Sequence, residues 1–170
     1  MKRNSTNWNV EHVEKLKRFD EIDFNPKYQR NYVWNDKQKV YLIDSILNDY
    51  PLPKVFARSV TNDDGTSFYE IIDGQQRLKT IILFINNEFS LSKKKHPKPD
   101  VFDDSFDNKY FKDLERKDKI SIMQYILSVD LIEASEIETK EMFMRLNLIN
   151  TKQINPSPKN HWKFEWVKEK

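Results

Sequence analysis

The stretch Phe68-Tyr69-Glu70-Ile71-Ile72-Asp73-Gly74-Gln75-Gln76-Arg77-Leu78 decides how this chain is read. Its first part, Phe68 to Ile72, is an apolar run that reads as a strand. Its last residue opens a segment, Leu78 to Ile85, that reads as a helix. The chain holds only two glycines in 170 residues, where average usage would supply roughly twelve. Gly65 sits in an Asn62-Asp63-Asp64-Gly65 turn. Gly74 lies between strand and helix, where a backbone can come close to a phosphate. That placement suggests an anion or nucleotide site.

The residue types around Gly74 suit that chemistry. The first turn of a helix leaves N–H groups without intrahelical partners, and the macrodipole adds partial positive charge there. Arg77 offers a planar fork for phosphate oxygens. Gln75 and Gln76 are neutral and can bind phosphate or orient a water. Asp73 can cap the helix or hold a magnesium ion that bridges phosphates. A plainer reading stands beside this one: Asp73 as an N-cap contributing about 1 kcal/mol, Gly74 as a turn residue, and a solvated first turn. No Gly-x-x-x-x-Gly-Lys run exists, so a P-loop is excluded.

Working outward, Val55 to Val60 and Ser67 to Ile72 flank the Asn62–Gly65 turn and read as an antiparallel hairpin. The stripe Leu78, Ile81, Ile82 and Ile85 would pack on it. Upstream, Asn35 with Gln38 forms a capping box for a helix whose apolar face is Val40, Ile43, Ile46, Leu47 and Tyr50. Pro51 and Pro53 end that helix. Residues 8–19 read as a short amphipathic helix or lead-in, and Phe19 to Phe24 as a strand. Residues 92–118 are basic, Pro-broken and then mostly charged, which reads as a solvated loop or mobile insertion. Residues 119–128 look helical, and Val129 to Ile132 reads as a strand. Ser135 with Glu138 caps a last helix running to about Leu146.

Two further polar clusters repeat the chemistry of the opening stretch. Gln29-Arg30 stands close to Tyr28 and Trp34; Arg30 beside Arg77 would make a two-armed phosphate clamp, and Tyr28 or Trp34 could stack on a base. Core packing is the competing role for these aromatics. Arg145-Leu146-Asn147 sits at a helix end, where an arginine also suits the helix dipole.

Composition bounds the rest. With 29 basic and 27 acidic residues, net +2, the chain lacks the overall basic excess of a typical nucleic-acid binder. It has no cysteine, which excludes disulfides, thiolate catalysis and Cys-based zinc sites. His12, His96 and His161 show no ligand spacing and read as surface residues. No run approaches the roughly 18 apolar residues of a membrane span, and the N-terminus does not read as a signal peptide. A cytoplasmic protein is expected.

Together the clusters resemble the GmrSD-type N-terminal domain, a branch of the ParB/sulfiredoxin-like superfamily. The residues carrying the resemblance are Pro26-x-Tyr28-Gln29-Arg30-x-Tyr32-x-Trp34, then Leu42-Ile43-Asp44-Ser45-Ile46 with Tyr50-Pro51-x-Pro53. They continue with Ile72-Asp73-Gly74-Gln75-Gln76-Arg77-Leu78-x-Thr80 and Phe143-x-Arg145-Leu146-Asn147. Where the family often has glycines after Arg-Leu-Asn, this chain has Leu148-Ile149-Asn150-Thr151.

The resemblance implies an α/β (α+β) fold of ParB/sulfiredoxin-like type: a small mixed sheet flanked by helices, plus a helical C-terminal part. It implies a lead-in over 1–18, the domain over 19–155 with a loop at 92–118, and a tail or the start of a following region at 156–170. It implies NTP binding, with Mg²⁺, and NTP hydrolysis as the enzyme reading, in a modification-dependent anti-phage restriction system that regulates a nuclease. Asp73, Gln75, Gln76 and Arg77 would be the catalytic set, with Asp73 toward Mg²⁺. Gln29, Arg30, Gly74, Arg77, Thr80, Arg145 and Asn147 would hold nucleotide and phosphate. Sulfiredoxin's own reaction needs a cysteine at this turn and is excluded. DNA, a nuclease domain or subunit of the His-Asn-His type, and a second copy of the chain are further partners open to such a domain. No nuclease motif is present in the chain itself. The alternative reading is a non-catalytic, ParB-like DNA-binding or adaptor module, or a remnant without its nuclease domain.

Overall fold

The computed structural model describes residues 1–24 and 33–151, the last five of these by their backbone alone. The elements run β1 (Lys2–Asn9), α1 (Val10–Arg18), β2 (Ile22–Asp23), α2 (Asp36–Leu47), β3 (Val55–Thr61), β4 (Ser67–Asp73), α3 (Gln75–Ile85), α4 (Arg116–Gln124), β5 (Ile126–Glu133) and α5 (Glu136–Thr151). The strands form one five-stranded sheet in the order β1-β5-β3-β4-β2. β1 pairs antiparallel with β5, β5 parallel with β3, β3 antiparallel with β4, and β4 parallel with β2. The sheet is mixed, as expected.

The expected hairpin forms. Its turn closes through Gly65 N–H donating to the Asn62 carbonyl at 3.0 Å and Asn62 N–H to the Thr66 carbonyl at 2.8 Å. Near its far end the β3–β4 register slips: Phe56 pairs with Asp73, while Ala57 pairs with Ile71. Ile72 is the extra residue of a bulge placed directly before the strand-to-helix turn, where bulges commonly redirect a strand.

The core gathers alternate residues of the strands, Trp8, Leu127, Val129, Val55, Ala57 and Ile71, against Val13 and Leu16 of α1, Val40, Ile43 and Ile46 of α2, Leu78, Ile81 and Phe84 of α3, and Ile122 of α4. Each fully buried large aliphatic contributes about 1.5–3 kcal/mol relative to exposure. α3 is buried nearly all round, with Gln75, Arg77, Leu78, Thr80, Ile81, Ile82 and Phe84 all inside. Such a helix belongs to the interior. α5 lies against β4.

Several expectations are corrected. Residues 1–18 are not a mere lead-in: Lys2–Asn9 is an edge strand, matched to β5 from Lys2↔Glu133 to Asn9↔Ile126. Its polar sequence hides it from a pattern search, because one face and one edge meet solvent. Only Ile22–Asp23 of the expected Phe19–Phe24 strand pairs, since α1 extends to Arg18 and Phe19 caps it. The expected helix over 119–128 ends at Gln124, and β5 begins at Ile126. Tyr50 lies beyond α2 and is exposed; its carbonyl accepts the Tyr125 hydroxyl at 2.7 Å.

The segment 92–118 contains short 3₁₀ turns. It is a loop, but not a solvated one. Leu91 leads into it buried, and His96, Phe102 and Leu114 are buried within it. His96, read as a surface residue, lies with Nε2 3.3 Å from Asp44 Oδ2 of α2, between the rings of Tyr41 and Phe102. Burial holds the Asp44 carboxyl above its usual range, partly offset by His96. The two predicted capping boxes form: Asn35 with Gln38, at 3.0 and 3.1 Å, and Ser135 with Glu138, at 2.8 and 3.3 Å. Among the described residues no helix is long and apolar enough to cross a membrane.

Candidate functional site

The strand-to-helix turn forms where the sequence places it. Gly74, and not Asp73, is the N-cap of α3. Its φ of 98° lies in the left-handed region, which a side chain disfavours. Space is tight for one as well: a Cβ there would stand 3.0 Å from Val55 Cγ2 and 3.2 Å from Arg77 Nη2, and those side chains would have to give way. The N-cap residue, a glycine, makes no side-chain cap bond of its own. The first-turn N–H groups of α3 lack intrahelical acceptors and present a partial positive charge at the end of the sheet.

Asp73 is the last residue of β4. Its carboxylate is half-exposed and accepts from Arg77 Nη2 at 3.3 Å across one helical turn. The capping role expected of it is therefore corrected: the carboxylate steadies Arg77 instead.

Arg77 points inward. The residue is 9% exposed. Its guanidinium donates to the Pro53 carbonyl through Nη1 and to the Lys54 carbonyl through Nη2 at 3.0 Å. Burial pulls its pKa down and the Asp73 charge partly restores it. The fork expected for phosphate here grips the main chain leading into β3. It closes over Gly74 and locks the turn to the neighbouring strand.

Gln75 is buried, 8% exposed, at the first helical position. Gln76 faces the other way: its Oε1 accepts the Val33 N–H at 3.0 Å. Thr80 is fully buried, and its hydroxyl donates to the Gln76 carbonyl at 2.7 Å. It lies inside α3, away from the exposed part of the turn. Trp34 packs partly buried against the core.

Arg145 sits on an exposed part of α5 and pairs with Glu141 through Nε at 3.1 Å and Nη2 at 2.5 Å. Tyr28, Gln29 and Arg30 lie outside the described residues, as do the tail beyond Thr151 and the side chain of Asn147. The structure thus brings Asp73, Gly74, Gln75, Gln76 and Arg77 together. It also ties Gln76 to Val33, which follows Arg30 by three residues in sequence.

Two groups beside the turn escaped the sequence reading. Asp130 of β5 is 2% exposed and accepts from Ser5 Oγ at 2.5 Å and Lys54 Nζ at 3.3 Å, with Arg3 Nε at 3.9 Å. The Ser5 hydroxyl, with Lys54 and Arg3, holds its carboxyl below the usual range against the opposing cost of burial. Ser5, Asp130, Phe56 and Asp73 stand in register across four strands. The signal in the sequence is an acid inside an apolar strand run, Leu127-x-Val129-Asp130-Leu131-Ile132. Lys54 gave no signal of its own.

A divalent ion would find one half-exposed carboxylate, Asp73, at the turn. Among the described residues no group of three or more acidic, His or Cys side chains converges on a point. That donor set does not make an all-protein metal site. It does fit magnesium arriving with phosphate oxygens, which needs only one or two carboxylates from the protein.

Comparison with known proteins places the chain. No curated protein matches it. Among solved structures it is similar to the C-terminally truncated chromosome-partitioning protein ParB from Caulobacter crescentus, complexed with CTP-γ-S, at 12% identity and a TM-score of 0.44. That likeness covers 86% of this chain and 53% of the other, so the chain spans about half the length of that protein. The model of the GmrSD restriction endonuclease N-terminal domain matches residues 11–165, nearly the whole chain. By that match the chain belongs to the GmrSD restriction endonuclease N-terminal domain family.

Proposed function

We propose that the chain binds a nucleoside triphosphate with Mg²⁺ at the start of α3, as the nucleotide-responsive part of a cytoplasmic restriction system that controls a nuclease. The observation that carries this reading is the Gly74 turn. A left-handed glycine as the N-cap of a helix and a half-exposed carboxylate meet at one end of the sheet. Family membership supports the setting: the family's description is that of a restriction endonuclease domain. In this reading the nuclease would be supplied by another domain or subunit.

The roles divide as follows. The N–H groups of the first turn of α3 receive phosphate oxygens. Arg77 positions the turn from inside, through the Pro53 and Lys54 carbonyls. Gln76 holds the chain at Val33, and Gln29 and Arg30, carried by the family resemblance, are further candidates for phosphate, Arg30 as the cation. Tyr28 is the candidate for stacking on the base, and Asp73 would share the magnesium ion with the phosphates. Hydrolysis, where it occurs, relies on positioning and electrostatics more than on covalent help from the protein.

Isothermal calorimetry with ATP, GTP, CTP and UTP in the presence of Mg²⁺ tests the reading. Saturable one-site binding of at least one of them at micromolar to sub-millimolar concentration is expected. Absence of binding for all four, together with salt-dependent and nucleotide-insensitive DNA binding, would replace this reading with the DNA-adaptor one.

A further inference from the structure

The inward aim of Arg77 leaves the proposed site with a question of charge. A triphosphate brings several negative charges, and the arginine expected to meet them is 9% exposed and bonded to main-chain carbonyls. Besides Arg30, a cation among the described residues would help to meet that charge. The structure offers Lys54. The Arg77 guanidinium that lies against Gly74 also holds the Lys54 carbonyl, so the Lys54 main chain stands beside the turn.

Its backbone is fixed in place, since its own carbonyl accepts from Arg77 Nη2 at 3.0 Å and that of Pro53, just before it, from Nη1. Its side chain is half-exposed, 52% by area, and lies with Nζ 3.3 Å from the buried Asp130 carboxylate. An ammonium has three donors, and Asp130 occupies one of them in this arrangement. Asp130 in turn rests on Ser5 and Arg3. It serves as an anchor that aims the lysine without depending on it.

We infer that Lys54 is a phosphate-binding residue of this site: Arg77 holds its backbone, Asp130 orients its ammonium, and a nucleotide phosphate completes its coordination. The inference rests on the nucleotide reading above and adds a residue to it. Arg77 then becomes a positioning residue whose effect on binding passes through Lys54 and the Gly74 turn. Lys79 is a poorer candidate for the same task. It lies one turn into α3, its pKa lowered by burial and partly restored by Asp23.

Calorimetry of the tightest-binding Mg²⁺–NTP against wild type, Lys54→Met, Lys54→Arg and Lys94→Met separates the possibilities. Lys94 is exposed on the segment after Leu91 and serves as the charge control. The expected result is a loss of tenfold or more in affinity for Lys54→Met, recovery to within about threefold of wild type for Lys54→Arg, and no change for Lys94→Met. Thermal melting should show the Lys54 variants folded, because the side chain is half in solvent. Unchanged affinity of Lys54→Met in a wild type that binds would overturn the assignment of Lys54 and leave the nucleotide site standing. An equal loss in Lys94→Met would overturn it too, by showing a general charge effect. A wild type that binds no nucleotide would overturn both.

Discussion

At the scale of single residues, Gly74 and Arg77 depend on each other. The glycine gives the left-handed turn, and its missing side chain leaves room for the guanidinium, whose Nη2 would stand 3.2 Å from a Cβ there. Gly74→Ala should therefore destabilise the fold by about 1–3 kcal/mol, from the positive φ and the crowding of Val55 and Arg77 together. Urea denaturation at neutral pH would show it as a lower midpoint with an unchanged slope. An alanine variant as stable as wild type would mean that the turn is not built as described. The glycine was legible in the sequence from its rarity and its place between strand and helix. The inward aim of Arg77 was not. Spacing shows that an arginine lies one turn into a helix, but not that two carbonyls from the chain before β3, over twenty residues earlier, converge on it. The capping reading of Asp73 failed for the same reason: the carboxylate had a cationic partner four residues on.

At the scale of elements, elements marked by local signals were legible, and those defined by distant partners were not. Both capping boxes, the hairpin and the apolar stripes of α2 and α3 follow from side chains within a few residues of one another. β1 is an edge strand of mostly polar residues, and its pairing partner is β5, far along the chain. The loop after Leu91 looks solvated by composition but is fastened by scattered anchors such as His96 against Asp44. Asp130 joins three elements, receiving Ser5 of β1 and Lys54 at the entry to β3 on a carboxylate of β5. Its pKa lies below the ordinary carboxylate value of 3.8, chiefly through the Ser5 hydroxyl. A depressed folded-state pKa gives stability that is present above the unfolded value and is lost as pH falls through the folded one. Asp130→Asn should cost about 1–3 kcal/mol at pH 7. That difference should shrink progressively below the ordinary carboxylate value. Denaturation curves for both proteins at several pH values from neutral to acid would check it; a difference that stays constant throughout would contradict it.

At the scale of the whole molecule, one mixed sheet carries a helical core on one set of alternating residues and, in register across four of its strands, Ser5, Asp130, Phe56 and Asp73. The proposed site lies at the end of that row. There the bulge at Ile72, the Gly74 turn and the entry to β3 meet under the grip of Arg77. The family was legible from three polar clusters in order, and the match over residues 11–165 agrees with it. The geometry places those residues differently from the expectation: Arg77 is bonded to the Pro53 and Lys54 carbonyls and Thr80 is buried inside α3, which is why Lys54 is proposed for the outward charge. The central claim is that phosphate meets the first turn of α3. The most direct test is a ¹H–¹⁵N NMR titration with Mg²⁺ and the nucleotide that calorimetry selects, following backbone amides along the chain. The account predicts the largest shifts at the amides of Gly74, Gln75, Gln76 and Arg77, saturating with the calorimetric affinity. Saturating shifts concentrated elsewhere, with these four amides unmoved, would contradict it.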